Sequence, residues 1–311
     1  MYYLKDEGQR MTRFDCGEVI TAMVTPMNAK GDIDYDGVEK LAKYLVENGS
    51  DAILVAGTTG ESPTLTNEEE RELVSTVKHA VANKAKIILS AGSNCTKTAV
   101  EFSKNAQKEE ADAILSVVPY YNKPNQLGLL NHYESIAKAT DLPIILYNIP
   151  SRTGISIEPS TVAYLASTYE NIVGIKQSLG DMDKVTEIRS FCPDSFAIYS
   201  GDDSLTLPML SLGARGVISV ASHLFGTEIK SMIRNFKSGD VLVARNMHKK
   251  LYPVFRQLFM APNPIPVKAA LKYKGLIEEY VRSPLVTLNE DEKIVLFRVI
   301  DQVKQELENG E

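Results

Sequence analysis

Eight short apolar runs, spaced about 20–35 residues apart, constrain the fold of this 311-residue chain more strongly than any other feature. Each run is continuous rather than alternating in polarity, which is typical of parallel strands covered on both faces. Because segments of helical length lie between the runs, the pattern predicts an α/β fold, a (β/α)8 TIM barrel, while a doubly wound open sheet stays compatible with it. The runs are VITAMVT (19–25), AILVAG (52–57), KIILSAG (86–92), AILSVVPY (113–120), PIILYNIP (143–150), IVGIK (172–176), FAIYSG (196–201) and GVISVAS (216–222).

Two of the intervening segments carry clear helix signals. Residues 36–49 place apolar side chains on one face, and Gly49 is positioned to stop the helix. Residues 66–81 open with a possible capping box from Thr66 to Glu69, followed by further acidic residues in the first turn.

The chain divides into three predicted parts. Residues 1–11 are an N-terminal extension, residues 12–226 form the barrel, and residues 227–311, which lack strand runs, form a C-terminal helical region. The segment APNPIPVK (261–268) is predicted to separate two of its helices, because proline breaks a helix.

Composition excludes several classes of function. The residues are 44% hydrophobic and 24% charged, and the net charge of −6 argues against a nucleic-acid surface. No apolar run approaches the ~20 residues of a membrane span, and the polar N-terminus is no secretory signal, so a cytoplasmic protein is expected. The three cysteines and four histidines lack the spacing of a disulfide framework or a metal site.

Polar groups follow the predicted strands at their carboxyl ends, where (β/α)8 barrels place their active sites. Lys176 ends the sixth run after five uncharged residues, so an inward-facing ammonium would be poorly solvated. An uncharged amine attacks carbonyl carbons to give a Schiff base, whose iminium acidifies the neighbouring C–H. A strand-end lysine that reaches water is the alternative.

Hydroxyl groups are available for the proton transfers that such chemistry needs. The candidates are Thr58, Thr59, Tyr120, Tyr121 and Tyr147. Arg152 is placed to grip a carboxylate, or else to pair with a surface acid. The neighbouring Asp202 and Asp203 are weak metal candidates, and we expect them instead to cap a helix that begins at Ser204 or Leu205.

These segments resemble the dihydrodipicolinate synthase (4-hydroxy-tetrahydrodipicolinate synthase) family, within the wider class I pyruvate-dependent lyases. The resemblance runs from about residue 12 to near the C-terminus. The motifs that carry it are GTTGESPTLT (57–66), VVPYYNKPNQ (117–126), LYNIPSRTG (146–154), GIKQS (174–178), SGDD (200–203), GVISV (216–220) and PNPIPVK (262–268).

The resemblance implies a Schiff-base-forming lyase that condenses pyruvate with L-aspartate 4-semialdehyde in lysine biosynthesis by the diaminopimelate route. It implies no metal or organic cofactor, no nucleic-acid or membrane partner, and a homotetramer built as a dimer of dimers. The implied catalytic residues are Lys176 for the pyruvate imine, Tyr147 for proton transfer, and Thr58 and Tyr121 for its relay. The implied substrate-binding residues are Thr59, Gly201 and the Ile218 backbone for pyruvate, and Arg152 for the semialdehyde carboxylate.

Two departures from the family pattern stand out. Gln177 follows the lysine where glutamate is usual, and we expect a tuned rather than an abolished site. Glu70 and Thr98 replace the histidine and glutamate of the lysine-binding pocket in relatives inhibited by lysine. We therefore expect weak or absent feedback by lysine.

Two other functions remain open at this stage. One is a pyruvate-dependent aldolase that acts on a sugar acid, similar to N-acetylneuraminate lyase, which would share Lys176 and Tyr147. The other is an inactive barrel that binds a keto acid as a sensor, which predicts pyruvate binding without turnover.

Overall fold

The computed structural model describes residues 15–309, so the predicted extension, residues 1–11, lies outside the described residues. Eight parallel strands follow one another in sequence order around a closed barrel, which confirms the predicted (β/α)8 fold over the open sheet. The strands are β1 Val19–Ala22, β2 Ala52–Val55, β3 Lys86–Ser90, β4 Ala113–Val117, β5 Ile144–Asn148, β6 Ile172–Gln177, β7 Ala197–Ser200 and β8 Gly216–Ser219.

The strands are shorter than most of the apolar runs that predicted them. Every residue of β1, β5 and β6 is buried. After β1 the residues Met23, Val24 and Thr25 remain buried as well, although the strand has ended. Apolar character therefore marks burial, which extends beyond the ends of the strand.

Helices cover the strands and extend the C-terminal part of the chain. Single 3₁₀ turns lie at Ser62–Thr64 and Asp203–Leu205. The α-helices are α1 Tyr35–Glu47, α2 Asn67–Val81, α3 Thr96–Lys108, α4 Gln126–Ala137, α5 Pro150–Thr153, α6 Pro159–Thr168, α7 Met182–Phe191, α8 Thr206–Ser211, α9 Ser222–Ser238, α10 Val241–Gln257, α11 Ile265–Tyr273 and α12 Glu290–Glu308.

Local sequence sets the helix ends as predicted. Asp34 caps α1 by accepting a hydrogen bond from the Gly37 amide, and Gly49, at φ +101°, follows its last turn. The capping box of α2 between Thr66 and Glu69 is present in both directions. These contacts satisfy amides that the first helical turn leaves without partners.

The proline-rich segment, residues 261–268, separates two helices, as predicted. α10 ends at Gln257 and α11 begins at Ile265, so the second helix starts within the segment. Pro266 stands in its first turn, where a helix needs no backbone N–H and the fixed φ of proline is favourable. The predicted boundary between residues 226 and 227 falls within α9, next to Phe225, whose backbone is not helical.

The chain forms two compact units. The first comprises Ile88–Val217 together with the described residues up to Gly17, and it carries most of β3 and all of β4–β7. The second comprises Glu18–Ile87 and the chain from Ile218 onward, with β1, β2 and helices α10–α12. Within the described residues, no helix combines the length and the apolar character needed to cross a membrane.

Candidate active site

Lys176 lies near the carboxyl end of β6 and is buried, with 7% of its surface exposed. Its neighbour across the sheet is Tyr147 of β5, in direct register. The Lys176 Nζ atom lies 4.4 Å from the centroid of the Tyr147 ring, which is itself 6% exposed. No carboxylate in the described part of the chain forms an ion pair with this amine. The lysine and the tyrosine therefore form one buried site.

Gly201, which follows β7, lies close to the aliphatic part of the Lys176 side chain. The Gly201 amide donates a hydrogen bond of 2.9 Å to the Gln177 carbonyl. A Cβ atom at Gly201 would lie 1.8 Å from Ser178 Oγ and 3.0 Å from Lys176 Cε. A side chain at this position would require Ser178 to move, and glycine avoids that contact beside Lys176. The proposed contact of Gly201 with pyruvate stays a prediction.

Gln177 faces away from Lys176, because successive residues of a strand point to opposite sides. Its side chain is fully buried, and its Oε1 accepts a hydrogen bond of 3.0 Å from Asn148 Nδ2. Its own Nε2 is buried without a hydrogen-bond partner in the described residues. The glutamine that replaces the usual glutamate therefore lies on the opposite face of β6 from the Lys176 amine, and its side chain contacts β5.

Arg152 and Tyr121 are exposed in the single chain. Arg152 lies on α5, directly after β5, and its guanidinium forms no ion pair or hydrogen bond with the described residues. It is free to bind a carboxylate. Tyr121 follows β4, is 89% exposed, and has φ +71°, an uncommon backbone conformation for a side chain of this size. The structure does not bring its ring to the buried lysine–tyrosine pair.

The second compact unit holds the remaining predicted residues. Thr58 and Thr59 form a tight turn after β2, in which the Gly60 amide donates to the Gly57 carbonyl at 3.0 Å. Thr58 is half-buried. Thr59 is buried, and its Oγ1 accepts a hydrogen bond of 2.8 Å from Asn263 Nδ2. Ile218 is buried in β8.

Sequence reasoning missed Asn263, Lys268 and Ser178. Lys268 stands in the first turn of α11, fully buried, and pairs with Glu61 at 2.5 Å. Burial lowers the pKa of the Lys268 ammonium, and the Glu61 carboxylate opposes that shift. Lys268 follows apolar residues in PNPIPVK, as Lys176 does at the end of its strand, so the sequence could have indicated a buried lysine. The prolines instead favoured a linker between helices.

Other charged candidates have structural roles. Asp202 caps the short helix Asp203–Leu205 by accepting from the Ser204 amide, one residue earlier than predicted. Residues 15–309 contain no cluster of three or more His, Cys, Asp or Glu side chains arranged to hold a metal ion. Burial lowers the pKa of His132 and of His223 to about 4, so both imidazoles are neutral at pH 7.

Glu70, at the start of α2, has a carboxyl group with a strongly raised pKa. Burial raises the pKa of its carboxyl to about 7, and the hydrogen bond from the Ser62 hydroxyl, at 3.1 Å, only partly offsets this. The side chain is therefore partly protonated near neutral pH.

A closed (β/α)8 barrel with a buried lysine near the carboxyl end of its sixth strand defines the class of barrel lyases with an active-site lysine. Within that class the chain belongs to the Dihydrodipicolinate synthetase family, whose model matches residues 15–303. This confirms the family resemblance.

Individual relatives agree. A 4-hydroxy-tetrahydrodipicolinate synthase from Desulforamulus reducens is 50% identical over 276 residues, which cover 89% of this chain and 93% of the relative. The enzyme of that name from Synechococcus elongatus is 53% identical, with 87% of this chain and 90% of the relative covered. A crystal structure of DHDPS from Cyanidioschyzon merolae with lysine bound has a TM-score of 0.91 at 47% identity, covering 93% of this chain and 98% of that chain. These matches favour the synthase over the sugar-acid aldolase.

Proposed function

We propose that this protein catalyses the 4-hydroxy-tetrahydrodipicolinate synthase reaction, in which pyruvate condenses with L-aspartate 4-semialdehyde. The family and the names of its relatives support the overall reaction. The buried contact between Lys176 and the Tyr147 ring is the main observation that supports catalytic roles for these two residues.

Lys176 acts as the nucleophile. Its uncharged amine attacks the ketone carbon of pyruvate, a C–N bond forms, and the ketone oxygen leaves as water after proton transfer. The iminium then draws electrons from the neighbouring methyl carbon, which loses a proton and becomes an enamine carbon. That carbon attacks the aldehyde carbon of the semialdehyde, a C–C bond forms, and the aldehyde oxygen takes up a proton. The amino group of the condensed semialdehyde then attacks the imine carbon and closes a ring through a new C–N bond. The bond from that carbon to Lys176 breaks, which releases the lysine amine for the next cycle.

Proton transfer falls to Tyr147, because its phenol is carried on the ring that contacts the amine. Thr58 and Tyr121 are proposed to extend the relay from Tyr147. The remaining proposed contacts are those of Thr59, Gly201 and the Ile218 backbone with pyruvate, and of Arg152 with the semialdehyde carboxylate. None of these steps requires a metal or an organic cofactor, and none is proposed.

We also propose a homotetramer, a dimer of dimers, in the cytoplasm. The almost fully exposed ring of Tyr121 supports assembly, because a second copy of the chain can cover it and bring its hydroxyl to a site. Cys16, Cys95 and Cys192 form no disulfide, which agrees with a reducing compartment. Light scattering after size exclusion tests the assembly, and a monomeric mass would contradict it.

Borohydride reduction in the presence of pyruvate, followed by peptide mass mapping, tests the function. The adduct is expected on Lys176. Lys268 is an internal control, because it is also buried but pairs with Glu61. Labelling of Lys268, or of neither lysine, overturns the assignment. A coupled assay then compares turnover of aspartate 4-semialdehyde with cleavage of a sugar acid, and only the first is expected.

A further inference from the structure

A buried ion pair joins the GTTGE turn (residues 57–61) to helix α11. The side chains of Lys268 and Glu61 are 0% and 2% exposed. Lys268 Nζ donates to Glu61 Oε1 at 2.5 Å and to the Tyr280 carbonyl at 2.7 Å. The second oxygen of Glu61 accepts from the Arg282 amide at 2.9 Å. Both carboxylate oxygens are thus held by the C-terminal part of the chain.

The backbone of the turn needs such support. Glu61 has φ +58° and Ala56, just before the turn, has φ +51°. Residues with a Cβ are uncommon in this left-handed region, and the surrounding structure must stabilise them there. The contacts to Glu61 therefore hold a conformation that the local sequence alone does not favour.

Two further contacts extend the same attachment. Asn263, two residues before α11, donates to Thr59 Oγ1 in a buried hydrogen bond of 2.8 Å. The Arg282 guanidinium donates to the Thr64 carbonyl at 2.6 Å and to Glu69 Oε2 at 2.9 Å. The turn and the start of α2 are thus held by one C-terminal segment.

We propose that Lys268 and Asn263 are positioning residues for the reaction: through Glu61 and Thr59 they hold the hydroxyls of the GTTGE turn where pyruvate binds. This inference rests on the proposed function, in which Thr58 extends the proton relay from Tyr147 and Thr59 contacts pyruvate. Neither positioning residue needs to touch the substrate.

The ion pair can be removed without leaving a buried charge. Lys268→Met alone leaves the Glu61 carboxylate buried without its cation, and we expect lower stability. The double variant Glu61→Gln/Lys268→Met removes both charges, and we expect a midpoint of urea unfolding near that of the parent. If holding the turn matters for pyruvate, the double variant should still show a KM for pyruvate raised about tenfold or more, with kcat changed less.

Asn263→Ala provides a second test that changes no charge. Its KM for pyruvate should rise several-fold, and it should add nothing to the effect of Thr59→Val, since the two side chains act through one hydrogen bond. Lys274→Met is the matched control. Lys274 ends the same helix and donates to the Leu224 carbonyl at 3.2 Å, so its removal should leave the KM unchanged.

The outcomes separate this proposal from the proposed function. If the parent enzyme forms no pyruvate adduct on Lys176, the function itself fails. If the parent forms the adduct while the folded double variant and Asn263→Ala keep the parent KM, only the positioning role is overturned. Additive effects of Asn263→Ala and Thr59→Val also contradict it.

Discussion

Replacing Gly201 with alanine tests how closely the end of β7 approaches the reactive lysine. The new Cβ would lie 1.8 Å from Ser178 Oγ and 3.0 Å from Lys176 Cε. Since heavy atoms outside covalent bonds rarely approach below about 3 Å, at least one neighbour must move by roughly 1 Å, and such overpacking costs about 1–3 kcal/mol.

The effect on catalysis should exceed the effect on stability. A displacement of about 1 Å at a reacting group costs on the order of 100-fold in rate. We therefore expect Gly201→Ala to lower kcat/KM by about 10- to 100-fold, measured with the coupled synthase assay, and to slow borohydride trapping of the imine on Lys176.

A second substitution identifies the obstacle. Ser178→Ala removes the oxygen at 1.8 Å and leaves contacts at 3.0 Å, so the double variant Gly201→Ala/Ser178→Ala should recover about tenfold of the lost activity. Gly180→Ala is the control, because its Cβ would meet only a Leu205 methyl at 3.9 Å. The reasoning is refuted if Gly201→Ala keeps kcat/KM within twofold of the parent.

Three further predictions follow from the site and from the start of α2. Tyr147→Phe should lower kcat by about 10²–10⁴-fold, and a rate within threefold of the parent would exclude it as the proton carrier. Lysine should inhibit weakly or not at all, since the family resemblance places Glu70 and Thr98 where relatives inhibited by lysine carry a histidine and a glutamate, and half-inhibition by sub-millimolar lysine would refute this. Glu70→Gln should stabilise the folded protein, and the gain should grow as pH rises. The Glu70 carboxyl has a pKa of about 7 in the folded protein, so above its lower unfolded pKa the unfolded chain ionises more readily and the parent loses stability. The gain in unfolding free energy should be about 2 kcal/mol larger at pH 8 than at pH 5, as urea titrations can measure, and an equal gain at both would contradict the shift.

The barrel was predictable from sequence because parallel strands covered on both faces must be apolar throughout, and their number and spacing left few topologies. Helix ends were predictable where a side chain does the capping, as at Thr66, and as at the Asp202–Asp203 pair, of which Asp202 is the cap. Strand ends were not, because residues such as Val24 stay buried after the strand has ended.

The lysine–tyrosine pair was also predictable. Strand ends of a parallel barrel meet at one edge, so Lys176 and Tyr147, each near the end of its run, were expected to be neighbours. Asn263 and Lys268 were not, because their partners Thr59 and Glu61 are more than 200 residues away. Local patterns do not report contacts at such separations. The chemical roles of all the predicted site residues remain predictions.

The buried pair between Glu61 and Lys268 also bears on the timing of folding. Its two residues are 207 positions apart in the chain. At about 5–20 residues per second a ribosome makes the lysine roughly 10–40 s after the glutamate. Until then the carboxylate has no buried cation to join, so the turn that carries it completes its folding only after nearly the whole polypeptide has been synthesised.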